Sequence, residues 1–301
     1  MAGSAGGSSA AHPLQGVALF LAAMLLFACL DATSKHLSQK FAVPMLVWAR
    51  YTVHFLLMVV FLAPTMGMRL LRTRRPLPQI VRALMLMFTT AFGIAALKLM
   101  PLAETTAMVF VSPLLVTILA VFMLHEKVRP SRWIAVTVGL AGMVLIARPG
   151  SGLVPIGVAY ALIAASLYSL YQILTRQLVA TEHPITMVFY TALVGTVVTT
   201  WGLPWYWGGP LPDPMEVLLI CSLGIYGGVG HFLLTRAFRL APASLLSPFL
   251  YVQLVWSTLL GWIVFDHFPD AVALAGILII VASGLFIALT SRAASTRGER
   301  C

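Results

Sequence analysis

Few residues in this chain can do chemistry, and nearly all of them lie inside apolar sequence. Arg50 and His54 stand four apart in VWARYTVHFLLMVV, so a helix carries them on one face. A guanidinium there can hold a carboxylate through two parallel N–H···O bonds, anchor a packed helix, or reach up to the lipid headgroups. Asp31 and Lys35 share that spacing, and an ion pair within one helix is the expected arrangement. Left unpaired, Asp31 is a carboxyl able to take up a proton, which makes these two the candidates for coupling. His231 closes the run GIYGGVGH, where glycines admit a neighbouring helix or a ligand and a neutral imidazole can bind a polar group or pass a proton. Gln172 and Gln253 offer amides to the same kind of cavity, and Tyr168, Tyr171, Tyr251 and Trp256 offer rings and polar tips. Pro113 follows Ser112 and Pro248 follows Ser247; each proline removes a helical hydrogen bond and frees a carbonyl, so both are gating candidates.

Other chemistry is absent from the pattern. There is no G-x-x-x-x-G-K-[ST] run to cradle ATP, and no HExxH or GxSxG. Cys29, Cys221 and Cys301 have no spacing that suits a metal or a disulfide framework. No metal, cofactor or ATP is expected, and energy must come from a gradient or from the cargo itself. The formal charge of +10 resides in short loops without a basic aromatic platform, which argues against nucleic acid.

The elements that position these residues follow from composition. Of 301 residues 60% are hydrophobic and 9% charged, with mean hydropathy +0.96, where soluble chains carry roughly a quarter of their residues as charges. About 20 apolar residues in a helix cross the hydrocarbon of a bilayer. Ten such spans are predicted, at 14–34, 44–63, 79–100, 103–124, 132–148, 155–177, 184–203, 215–240, 243–265 and 271–290. With both termini cytoplasmic, fourteen of nineteen basic residues fall inside, among them Arg69, Arg72, Arg74, Arg75 and Arg82, which is the asymmetry expected of a multi-pass protein of the inner membrane. Lys98 and Arg239 end spans three and eight, where a cation complements the helix dipole, and Glu126 reads as a solvated cap. Residues 1–13 read as a disordered tail without the charged n-region of a signal peptide, and 292–301 as a basic cytoplasmic tail.

A shift of 141 residues lays the second half on the first. Gly16-Val17-Ala18 falls on Gly157-Val158-Ala159, Lys35 on Arg176, Asp31 on Gln172, and Ala96 to Pro101 on Ala237 to Pro242. Each half, 14–150 and 151–291, holds five spans, so equivalent helices cross in opposite directions. Inverted repeats of this kind build secondary transporters, whose halves exchange conformations around a site near the midplane. An all-α polytopic protein of two inverted five-helix repeats is therefore the expected fold class, and transport by alternating access the expected activity. An intramembrane lipid-modifying enzyme needs several convergent acid/base groups, and the ionisable residues here are too sparse for that.

The stretches Ala96-Leu97-Lys98-Leu99-Met100-Pro101-Leu102-Ala103, Val111-Ser112-Pro113-Leu114 and Leu124-His125-Glu126-Lys127, with Gly139 and Gly142, resemble the EamA module of the drug/metabolite transporter superfamily. The second copy keeps Ala237 to Pro242, Gly276 and Gly284 but has Asp266-His267 in place of Glu126, and Arg50-Tyr51 is similar to the family's Arg-aromatic pair. Within that superfamily the chain looks most like aromatic amino acid exporters of the YddG type. The resemblance implies export of small metabolites, with amino acids bearing large or aromatic side chains as the cargo. A multidrug cation exporter and a metabolite importer of the same superfamily stay open, as do the oligomeric state and the coupling ion.

Overall fold

In the computed structural model, which describes residues 13–125, 128–148, 150–206 and 210–298, the secondary structure is helical throughout. The first half comprises α1 (Pro13–Ser38), α2 (Val43–Met66), α3 (Pro76–Leu99), α4 (Leu102–Val109), α5 (Ser112–Leu124) and α6 (Pro130–Ile146). The second comprises α7 (Pro155–Leu178), α8 (Pro184–Tyr206), α9 (Pro214–Leu240), α10 (Ala243–Leu246), α11 (Val252–Phe265) and α12 (Ala271–Gly298). Glu126, Lys127 and residues 1–12 lie outside the described residues, so the cap read at Glu126 and most of the N-terminal tail do too. Helix α12 includes 292–298, the start of the stretch read as a tail.

Local chemistry explains where the helices begin. Pro76, Pro130, Pro155 and Pro214 open theirs, where a fixed φ suits the first turn and the missing N–H loses no bond. Helix α9 adds a reciprocal cap, with Asp213 accepting from the Glu216 N–H and Glu216 accepting from the Asp213 N–H. Among the described residues nine segments are long and apolar enough to cross a bilayer, and the tenth, α6, is shorter at 17 residues.

The repeat is written in the backbone. His125 ends α5 and Asp266 ends α11 in the left-handed conformation, at φ 55° and 50°, and they are separated by the same 141 residues found in the sequence. Met100 and Ala241, again equivalent, both leave their helices in extended conformation. Packing repeats as well: α1 lies along α9 as α7 lies along α3, and α1 meets α11 as α7 meets α5. A Cβ added at Gly16 would stand 2.7 Å from Ala241 Cβ, and one at Gly157, its equivalent, 2.7 Å from Met100 Cγ. Helix α2 meets α9 as α8 meets α3, and two further seams, α2 on α8 and α6 on α12, pair equivalent helices across the pseudo-two-fold axis.

Both predicted proline kinks are full breaks. The fourth span divides at Phe110 and Val111 into α4 and α5, and the ninth passes through a 3-10 turn, Ser247–Tyr251, between α10 and α11. At the first break the Ser112 carbonyl accepts the Ser169 hydroxyl of α7 at 3.1 Å, so a neighbouring helix satisfies the polar backbone that the break leaves. Large apolar side chains such as Phe61, Phe122, Trp201 and Ile263 are 70–76% exposed, as a lipid-facing surface requires, and polar side chains turn inward.

One reading is corrected. Arg82, counted among the loop charges, is buried in the second turn of α3. Its phase decides this, because Gln79, Arg82, Leu86, Thr90, Ile94 and Leu97 form the buried stripe of α3.

Candidate functional site

Polar residues from α2, α7, α8 and α9 converge on one cavity of the interior. Helix α9 brings its glycines against α2: a Cβ at Gly228 would meet His54 Cδ2 at 3.0 Å, and one at Gly227 would stand 3.6 Å from Arg50 Nε. Gly230 faces Phe27 of α1 in the same way, at 2.7 Å from its ring. That close approach stacks the imidazoles of His54 and His231, with ring centroids 6.2 Å apart and planes 6° from parallel, while the Phe27 ring meets His231 at 5.1 Å, tilted by 60°.

These residues line a cavity of about 10 Å³, the room of a single water molecule, with Arg50, Tyr51, His54, Leu86, Tyr171, Val188, Thr191 and His231 as its walls. Tyr51 is fixed by a 3.0 Å hydrogen bond between its hydroxyl and that of Thr90. Among the described residues the guanidinium of Arg50, the ring nitrogens of His54 and His231 and the hydroxyl of Tyr171 have no hydrogen-bond partner. Free donors around an enclosed space are what a polar ligand needs, because a group held there without partners forgoes its hydration.

Arg82 forms the next layer. Its guanidinium lies over the Tyr171 ring at 5.1 Å, donates to Thr191 Oγ1 at 2.9 Å and is held by the Met187 carbonyl. Tyr171 in turn stacks on Tyr168 at 5.7 Å and 14°, so a cation and two rings form one wall. The sequence shift pairs Arg50 with Thr191: the cation of one repeat corresponds to the acceptor that holds the cation of the other.

Asp31 and Lys35 do not pair with each other. The Asp31 carboxylate accepts from Gln253 Nε2 at 3.1 Å, and the charge of Arg50 bears on it. The Lys35 ammonium donates to the carbonyls of Leu97 at 2.9 Å and Met100 at 2.6 Å, because the last carbonyls of α3 lack intrahelical partners and attract a cation. The expected complement of that helix end, Lys98, is exposed instead. Lys35 also lies near Glu104, a buried carboxylate of α4 whose Oε1 stands 3.1 Å from His267 Nε2.

Gln172 and Tyr251 lie elsewhere. With Pro113, Thr117, Arg132, Arg176 and Gly284 they line a second cavity of about 380 Å³ between α5, α6, α7 and α12, toward the ends that bear the basic loops. The Tyr251 hydroxyl presses on the backbone of Gly284, and its ring meets Phe110 at 5.7 Å. Pro113 borders this space and Pro248 sits in the 3-10 turn beside it. Of the candidates read from sequence, the structure brings Arg50, His54, Tyr171 and His231 to one cavity and places Gln172 and Tyr251 at another. Sequence reasoning missed Arg82, Glu104 and Thr191, for which the helical phase of α3 and the charge in the first turn of α4 are the available signals.

Residues 14–148 and 155–289 each match the model of the EamA-like transporter family. The chain belongs to this family. It is 30% identical over 282 residues to an S-adenosylmethionine uptake transporter of Rickettsia bellii, covering 94% of this chain and 96% of that protein. It is likewise 30% identical over 288 residues to a riboflavin transporter of Vibrio cholerae, covering 92% and 93%. A solved crystal structure covering 92% of the chain superposes with a TM-score of 0.65 at 23% identity, which shows the shared fold. As an EamA-family member the chain is a multi-pass membrane transporter, and two curated relatives move metabolites larger than the amino acids expected above.

Proposed function

We propose that this EamA-family protein takes up a metabolite that combines an α-amino acid group with a flat ring, S-adenosylmethionine foremost. One observation carries the reading: Arg50, His54, His231 and Tyr171, whose polar atoms have no hydrogen-bond partner among the described residues, line a single cavity between the two repeats. Arg50 suits a carboxylate, the Asp31–Gln253 pair suits an ammonium or a sulfonium, and the stacked His54–His231 and Tyr168–Tyr171 rings suit a purine face. The names of the Rickettsia relatives support both the cargo and the direction. The cavity is too small for such a ligand in this state, so binding requires the halves to separate at one face, as alternating access demands.

The second reading is the aromatic amino acid cargo expected from sequence, which uses the same carboxylate and ring contacts and leaves out the sulfonium. Purified protein in liposomes preloaded with unlabelled S-adenosylmethionine is expected to take up external labelled S-adenosylmethionine by counterflow without ATP. Labelled phenylalanine, tryptophan, riboflavin and a lipophilic cation are measured beside it. Flux of phenylalanine or tryptophan without S-adenosylmethionine replaces the first reading with the second, and flux of riboflavin or the cation alone overturns both.

A further inference from the structure

Four helices of the interior form two pairs. Helix α1 lies along α9 and α7 along α3, the most extensive seams in the molecule, with Gly16 against Ala241 and Gly157 against Met100. The cavity at Arg50 lies between the pairs, with Leu86 of α3 and Tyr171 of α7 on one side and His231 of α9 on the other. At the face opposite the basic loops the pairs touch. Lys35 of α1 donates to the Leu97 and Met100 carbonyls at the end of α3, and Gln39 donates to that of Lys98 at 3.2 Å. Ala32, Leu97, Leu102, Leu260 and Phe265 pack together there, with α4 lying on α11. At the face of the basic loops the same parts stand apart. Under the 141-residue shift Arg176 replaces Lys35, and Phe238 and Ala241 replace Leu97 and Met100. Among the described residues, however, α7 and α9 form no seam like that of α1 with α3, nor α10 with α5 like that of α4 with α11. The cavity of about 380 Å³ lies on this side, with Arg176 in its wall.

Proline explains why both helix ends call for a donor. Pro101 and Pro242 have no N–H, so the carbonyls four residues earlier, those of Leu97 and Phe238, lose their helical partner. Lys35 serves the first; among the described residues no side chain donates to the second. Its acceptor geometry is nevertheless in place, because Ala241 leaves α9 in the same extended conformation in which Met100 leaves α3, and the end of a helix dipole attracts a cation at both sites. We propose that Lys35 and Arg176 are alternating gate residues, each capping the carbonyls that end α3 or α9 when its own face of the protein is closed. Because α1 is tied to α9 and α7 to α3, drawing the ends of α7 and α9 together pivots the pairs and parts the ends of α1 and α3. The structure is thus the state open toward the basic loops. In the opposite state Arg176 caps Phe238 and Ala241, and Lys35 releases Leu97 and Met100.

The test needs no cargo, so its outcome is separate from that of the cargo proposed above. In the full chain in membrane vesicles, with Cys29, Cys221 and Cys301 changed to serine, two cysteine pairs report the two faces. Gln39→Cys with Lys98→Cys reports the closed face, and the equivalent Ala180→Cys with Arg239→Cys the open one; all four positions are exposed. Oxidation by copper phenanthroline is followed as the loss of thiols that react with a PEG-maleimide after denaturation. The first pair is expected to oxidise faster than the second. Lys35→Met is expected to slow the first pair and to speed the second by up to about tenfold, a shift of roughly 1.4 kcal/mol between the two states. Arg176→Met is expected to slow the second pair by a similar factor and to leave the first as fast or faster. Lys35→Arg combined with Arg176→Lys, which keeps a cation at both positions, is expected to restore both rates. A lysine that merely caps α3 loses the first contact without speeding the second. That result in Lys35→Met, or an unchanged second pair in Arg176→Met, overturns the proposal. If Lys35→Met fails to reach the membrane, Arg176→Met, at an exposed position on the other face, decides alone.

Discussion

Arg50 and Arg82 are both guanidiniums inside the membrane, yet the structure gives them different work. Arg82 is tied to Met187, Thr191 and the Tyr171 face, while Arg50 presents free donors to the cavity. Arg50→Ala is expected to raise the apparent KM for the transported metabolite by about ten- to a hundredfold at normal membrane abundance, since hydrogen bonds to charged groups contribute about 1.5–3 kcal/mol. Arg82→Ala is expected to reduce the amount of folded protein, which an abundance blot beside the flux assay reads. At the face opposite the basic loops, Asp270 caps the start of α12 and pairs with Arg148. The Ala273 N–H, joined by Arg148, holds its carboxyl below the usual carboxylate range. A lowered value means that its contribution to stability is present above about pH 4, the unfolded value, and is lost as pH falls through the folded one. Asp270→Asn is therefore expected to lower the unfolding midpoint of the detergent-solubilised protein slightly at about pH 7, with the difference narrowing below about pH 4. The sequence made Arg50, His54 and His231 legible because each stands alone in apolar sequence. Arg82 and Glu104 were not, because each lies within two turns of a helix start, where charges usually meet water.

Among the elements, the helices and the repeat were readable almost throughout, since apolar runs set the spans and prolines set their starts. What the sequence could not show was partnership: periodicity reports that a face is buried without saying against which helix. The α6–α12 seam is an example. A Cβ at Gly142 would stand 2.9 Å from the Gly276 carbonyl, and one at Gly276 would stand 2.6 Å from the Gly142 carbonyl. Gly142→Leu is expected to cost about 1–3 kcal/mol through overpacking and to lower the unfolding midpoint of the detergent-solubilised protein. Gly93→Ala, with nothing within 4 Å of the added methyl, is expected to leave that midpoint unchanged or to raise it slightly. Equal losses for the two would remove the seam from the account.

For the whole molecule, orientation is the expectation with the widest reach. A reporter fused after Thr73 is expected to read cytoplasm and one after Pro210 the far side, and the same location for both would undo the ten-span topology. The two halves also lack independence: α1 lies chiefly on α9, α3 on α7 and α6 on α12. That interlock has a consequence in time. Helix α1 ends at Ser38 and its partner at Leu240, so roughly 200 residues of synthesis separate them, on the order of 10–40 s at bacterial rates. Through that interval the face of α1 containing Gly16, Phe27 and Asp31 waits in the membrane without its native neighbours, shielded by lipid or by the insertion machinery. The half-translated chain is thus the most fragile form of this protein, and a ribosome that stalls between α6 and α7 leaves behind a first half whose main packing faces on α1, α2, α3 and α6 are all unfilled.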